Sequence, residues 1–135
     1  MLALFALLAL LFGAEPALSQ GAGAQVVPCG RSFTVTGGAT PITQQIAGVA
    51  GQSIHVCGYA INAGAAAGTF QLTVGTGTNC GTNTLNITPV YSLGVNGVLV
   101  DRTVSAWYSS PSGYSLCYTI TGTGPMNVLV TYHQS

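Results

Sequence analysis

The chain has 135 residues, room for one domain, and only four carry a formal charge: Glu15, Arg31, Asp101 and Arg102. Its charged fraction is 3% against roughly 25% for an ordinary globular domain, while 48% of its residues are hydrophobic. Disorder is excluded, because disordered chains are poor in apolar residues. Nucleic acid and anionic membrane surfaces are excluded too, because two arginines and no lysine cannot meet many phosphates.

Residues 1–12 form an almost unbroken apolar run, which breaks at Gly13, Glu15 and Pro16. Ala17-Leu18-Ser19 then offers small residues at the positions a signal peptidase reads. We expect a cleaved signal peptide over 1–19 and a mature domain over 20–135. A second small-residue site at Ala22-Gly23-Ala24 would release Gln25 instead. The run is too short to span a bilayer, which needs about 20 apolar residues, so the mature form is expected to have no membrane span.

The mature part reads as strands throughout. Ser32–Thr36 alternates and ends at Gly37-Gly38; Pro41–Gly48 is a weaker strand. Ser53–Asn62 places Ile54, Val56 and Ala60 on one face and His55, Cys57, Tyr59 and Ile61 on the other. Both faces are apolar, so this strand is expected to be central. Ala63–Gly68 is a small-residue connection, and Thr69–Val74 turns Phe70, Leu72 and Val74 inward. A Gly/Thr/Asn loop follows over Gly75–Thr84. Further strands are expected at Leu85–Val90, Val98–Ala106, Tyr114–Thr121 and Met126–His133, with Asn96-Gly97 as a hairpin signal. About eight short strands at this spacing predict an all-β fold, a single antiparallel β-sandwich of jelly-roll type.

All four cysteines lie in the mature part, as expected of disulfides in an exported domain. Four cysteines allow three pairings. We expect Cys57 to join Cys117, as two strand-interior positions, and Cys29 to join Cys80, as two loop positions. No Cys-x-x-Cys pair is present, and only His55 lies near a cysteine, so neither a metal site nor a cofactor is expected.

Catalytic patterns are thin. His55, His133 and Asp101 could supply a triad, but no Gly-x-Ser-x-Gly elbow accompanies them. The Gly75-x-Gly77 segment has no lysine or helix to complete a phosphate loop. The expectation is a protein without enzymatic activity.

The aromatic residues are more suggestive. Trp107, Tyr108 and Tyr114 flank a Ser-Ser-Pro-Ser-Gly turn, and Tyr91 opens another loop. Exposed aromatics on a β scaffold can stack on sugar rings; the competing reading has them capping the core. Thr-x-Thr pairs recur at Thr34, Thr76, Thr82 and Thr119, which brings ice binding into view, though β-branched propensity explains them as well. Asn86-Ile87-Thr88 matches a glycosylation acceptor.

The strings Ser53-Ile54-His55-Val56-Cys57-Gly58-Tyr59, Gly75-Thr76-Gly77-Thr78-Asn79-Cys80-Gly81-Thr82 and Ser115-Leu116-Cys117-Tyr118 carry a resemblance. With them the chain resembles small proteins of unknown function from bacterial genomes and from phages or prophages. The resemblance implies a β-rich, surface-exposed or virion-associated part. The export signal departs from virion practice and favours a secreted or cell-surface protein. The missing charge points to self-association, since uncharged faces meet at little desolvation cost. The sequence thus leads to a secreted or surface-exposed structural or adhesive protein that forms oligomers or filaments, with a carbohydrate-binding module as the alternative.

Overall fold

A computed structural model describes residues 29–103 and 105–135; the expected signal peptide lies outside the described residues. Among the described residues ten strands follow one another: β1 (Arg31–Gly37), β2 (Thr40–Ile46), β3 (Ile54–Ala63), β4 (Gly68–Thr76), β5 (Thr82–Asn86), β6 (Tyr91–Leu93), β7 (Val98–Arg102), β8 (Tyr108–Ser109), β9 (Ser115–Gly122) and β10 (Met126–Gln134). They form two five-stranded antiparallel sheets. The first runs β1-β10-β3-β7, with β8 also on β3; the second runs β2-β9-β4-β5, with β6 also on β4.

Because β5 and β6 share one neighbour, and β7 and β8 another, each pair is one strand position broken in the middle. The ten segments therefore fill eight positions, ordered 1-8-3-6 and 2-7-4-5. That is the jelly-roll order, in which successive strands alternate between sheets except at the hairpin of positions 4 and 5. The expected fold class is the one observed.

The core lies between the sheets. Ile54, Val56, Tyr59 and Ile61 of β3 meet Phe70, Leu72 and Val74 of β4, and Leu116 and Ile120 of β9. Phe70 and Leu72 are fully buried, as their alternation predicted.

The faces of β3 differ from the expectation. Thr131 of β10 pairs with Gly58 and Tyr132 with Val56, so Cys57 has no partner in the ladder. The extra residue is a β-bulge, and it shifts the alternation by one. Ile54 and Val56 face the core before it; Tyr59, Ile61 and Ala63 do so after it. Tyr59 and Ile61 thus leave the face of His55, and Ala60 leaves the face of Val56. Gly58 fits the close approach of β7, since a Cβ there would sit 2.5 Å from the Asp101 carbonyl oxygen.

Asn96-Gly97 makes a turn, but not a hairpin. Gly97 N–H donates to the Gly94 carbonyl at 2.9 Å, and Asn96 takes a left-handed φ of 56°. The flanking strands β6 and β7 belong to different sheets, so the turn carries the chain across the sandwich.

The disulfides also correct the expectation. Cys29 joins Cys57 and Cys80 joins Cys117, with Cα separations of 6.0 and 6.3 Å. Cys57 sits at the bulge of the first sheet. Cys117 lies between core-facing Leu116 and Tyr118, and so on the outer side of the second sheet. Sheets stack about 10 Å apart, which keeps those two sulfurs from meeting. Instead, a short 3-10 turn at Thr78–Cys80 folds over the outer side of the second sheet and brings Cys80 to Cys117. The Asn79 side-chain carbonyl secures the turn by accepting the Gln44 N–H at 3.1 Å.

Candidate functional site

Aromatic residues gather at the edge of the sandwich where β7 and β6 close the two sheets. Tyr59 is the hub, 2% exposed. Its ring lies 5.6 Å from Tyr91, 6.3 Å edge-on to Trp107 and 6.4 Å from Phe70. The Tyr59 and Tyr91 hydroxyls hydrogen-bond to each other, linking the first sheet to the second. Trp107 continues to Tyr108 at 6.0 Å, and its backbone N–H donates to the Val56 carbonyl at 3.0 Å. That bond fixes where the indole leaves the sheet.

Burial holds the Tyr59 phenol far above its ordinary range, reinforced by the hydrogen bond to Tyr91, the Tyr91 charge and the nearby Asp101. Burial raises the Tyr108 phenol as well, with Tyr114 adding to it. Both stay neutral at ordinary pH and can act as hydrogen-bonding groups. Asp101 pairs with Tyr59 across the β3–β7 ladder and is exposed.

Of the four aromatics singled out from the sequence, Tyr91 and Trp107 flank Tyr59 and Tyr108 adjoins Trp107, while Tyr114 is linked only to Tyr108. Trp107 is exposed at 38%. Tyr91, Tyr108 and Tyr114 are half-buried and pack against the core. Tyr59, which links Tyr91 to Trp107, was not among the expected site residues. Its signal was hidden by the bulge, which sends it inward.

A second uncommitted surface is the outer face of the first sheet. Thr34, Leu129, Ala60 and Val100 form one rung across four strands, and Thr36, Asn127, Asn62 and Val98 the next. Val98 and Val100 are 63% and 57% exposed. A shallow depression of about 210 Å³ lies here, lined by Thr34, Ala60, Asn62, Val98, Asn127 and Leu129.

The threonine pairs do not share a plane. Thr34 and Thr36 lie on the outer face of the first sheet, Thr119 and Thr121 on that of the second. Thr69 and Thr121 hydroxyls bond to each other at 2.5 Å. At the glycosylation pattern, Asn86 is exposed, whereas Thr88 is buried and its hydroxyl accepts the Leu72 N–H at 2.9 Å. His55 and His133 come together across β3 and β10, and the hydrogen bonds of the His55 ring go to serines. Asp101 is placed beside Tyr59 instead.

Compared with known families, curated proteins and solved structures, the chain finds no match. Two disulfides suit an oxidising, extracellular-type environment. Among the described residues no helix is long and apolar enough to cross a membrane.

Proposed function

We propose that this is a secreted or surface-exposed, non-catalytic structural protein that self-associates and coats a cell or virion surface. The observation that carries the reading is the outer face of the first sheet. It presents Val98, Val100, Leu129 and Ala60 among Thr and Asn, with no charge in these two rungs and a single arginine, Arg102, in the adjoining rung of Ser32, Thr131 and Gly58. A second copy of this chain fits it best. Such a partner brings little charge to desolvate, and exposed β-branched side chains on a sheet face bury well against their like. Jelly rolls serve in viral shells and in lectins alike, so the fold is neutral between this reading and the next.

The test is native mass by light scattering after size exclusion, on the oxidised protein at micromolar concentration. Discrete oligomers or filaments are expected. A Val98→Glu, Val100→Glu double variant should run as a folded monomer, because facing copies would then bury like charges. A monomeric parent protein would overturn the reading.

A second reading has one observation of its own. Trp107 presents an indole held on Tyr59, the residue beside which the Asp101 carboxylate lies. An exposed aromatic face beside fixed polar groups is how a sugar ring is gripped. Glycan-array binding that disappears in a folded Trp107→Ala variant would establish it.

A further inference from the structure

His55 and His133 are directly opposed on β3 and β10, on the outer side of the first sheet. Opposed residues in an antiparallel pair hold their Cβ atoms about 4.5–5.5 Å apart. Their ring centroids lie 6.2 Å apart and their planes 32° from parallel. Both side chains are half-buried, so water and ions reach them.

The His55 ring is anchored. Its Nδ1 is 2.7 Å from the Ser109 hydroxyl, and its Nε2 is 3.3 Å from the Ser135 hydroxyl. In the tautomer that donates Nδ1–H to Ser109, the Nε2 lone pair is free to accept from Ser135 or to bind a cation. This matches the arrangement at metal-binding histidines, where the second ring nitrogen is held by a hydrogen-bond partner that fixes ring and tautomer.

We propose that His55 and His133 form a two-imidazole site for a divalent transition metal of borderline softness, Cu²⁺ or Zn²⁺. Imidazole is a preferred ligand for both. Metal–nitrogen bonds of about 2.0–2.1 Å require the two ligating nitrogens to close to about 3 Å. From centroids 6.2 Å apart the side-chain torsions would have to turn the two rings toward each other to reach that spacing, with Ser135 giving up its contact to Nε2. Among the described residues no group of three or more His, Cys, Asp and Glu side chains converges. The remaining coordination positions would therefore be filled by water, leaving an open site.

The test uses the full oxidised chain with Cu²⁺ as the probe, and Zn²⁺ in competition. One Cu²⁺ per chain is expected, with pulsed electron paramagnetic resonance showing two equatorial imidazoles. In His133→Gln the signal should fall to one imidazole, and affinity about a hundredfold, because the second ligand no longer binds within the same molecule. Identical isotherms for parent and variant would overturn the proposal. A readout independent of any variant is proton magnetic resonance of the parent protein. Substoichiometric Cu²⁺ should broaden both imidazole signals in parallel, and broadening of one alone, or of neither, would overturn it.

Discussion

Removing the Cys80–Cys117 bridge tests how the outer turn is held. The bridge spans 37 residues of sequence, and its loss frees loop-closure entropy worth about 3.8 kcal/mol at 25 °C in the chain-entropy model. A smaller effect opposes it. Thr73 is 1% exposed, and its hydroxyl has no hydrogen-bond partner among the described residues. Loosening the turn above it would let water reach that oxygen and recover about 1–2 kcal/mol of the penalty for a buried unpaired group. The Cys80→Ala, Cys117→Ala variant should therefore be about 2–3 kcal/mol less stable than the parent. Urea unfolding at 25 °C measures this, with a midpoint shift of about 1–2 M at the slopes of small domains. The Cys29→Ala, Cys57→Ala variant spans 28 residues and has no such offset, so its loss should approach about 3.6 kcal/mol. A Cys80/Cys117 loss equal to or larger than the Cys29/Cys57 loss would refute the compensation by Thr73. A peptide map joining Cys57 to Cys117 would refute the whole geometry.

Phe70→Ala should cost about 3–5 kcal/mol, because the ring is fully buried between the sheets; denaturant unfolding checks it. Stability should fall as pH rises above about 10, where the Tyr59 phenol ionises in the unfolded chain but not in the folded one. The contribution is complete below that pH and lost above it, so Tyr59→Phe should flatten the alkaline decline seen by thermal melts. Gly58→Ala should destabilise, since its Cβ meets the Asp101 carbonyl at 2.5 Å; circular dichroism melts report it. Trp107→Ala should lose about 1 kcal/mol or less of the edge-to-face contact with Tyr59 and stay folded, which near-ultraviolet circular dichroism can follow.

Several strand positions were legible because their cause is local, whereas the strands expected at Leu85–Val90 and Val98–Ala106 were displaced or shortened, with β5 at Thr82–Asn86 and β7 ending at Arg102. Phe70, Leu72 and Val74 alternate with polar residues, and each lands in the core. What escaped was set by partners distant in the chain. The bulge at Cys57 exists only in the pairing of β3 with β10, and that pairing decides that Tyr59 faces inward. The cysteine pairs follow from which side of which sheet each occupies. Cys57 and Cys117 look alike in sequence, as apolar strand interiors, yet belong to opposite layers. Asn96-Gly97 gives a turn by its own chemistry, but what the turn connects depends on the alternation of strands between sheets. The aromatic corner was half legible: Trp107 and Tyr108 adjoin in sequence, whereas Tyr59 joins them only through the fold.

In the first sheet, β10 lies between β1 and β3, so the earliest strand gains its neighbour only when the latest is in place. A nascent chain holding β1 to β9 has nothing to zip β1 against, and that half of the sandwich stays open. Pairing over such distances is slow, on the order of milliseconds to seconds. Closure of the first sheet therefore waits for β10 and does not follow the order in which its strands are made. Since β10 lies between β1, which follows Cys29, and β3, which carries Cys57, the Cys29–Cys57 bridge is set in its native register only once β10 has docked.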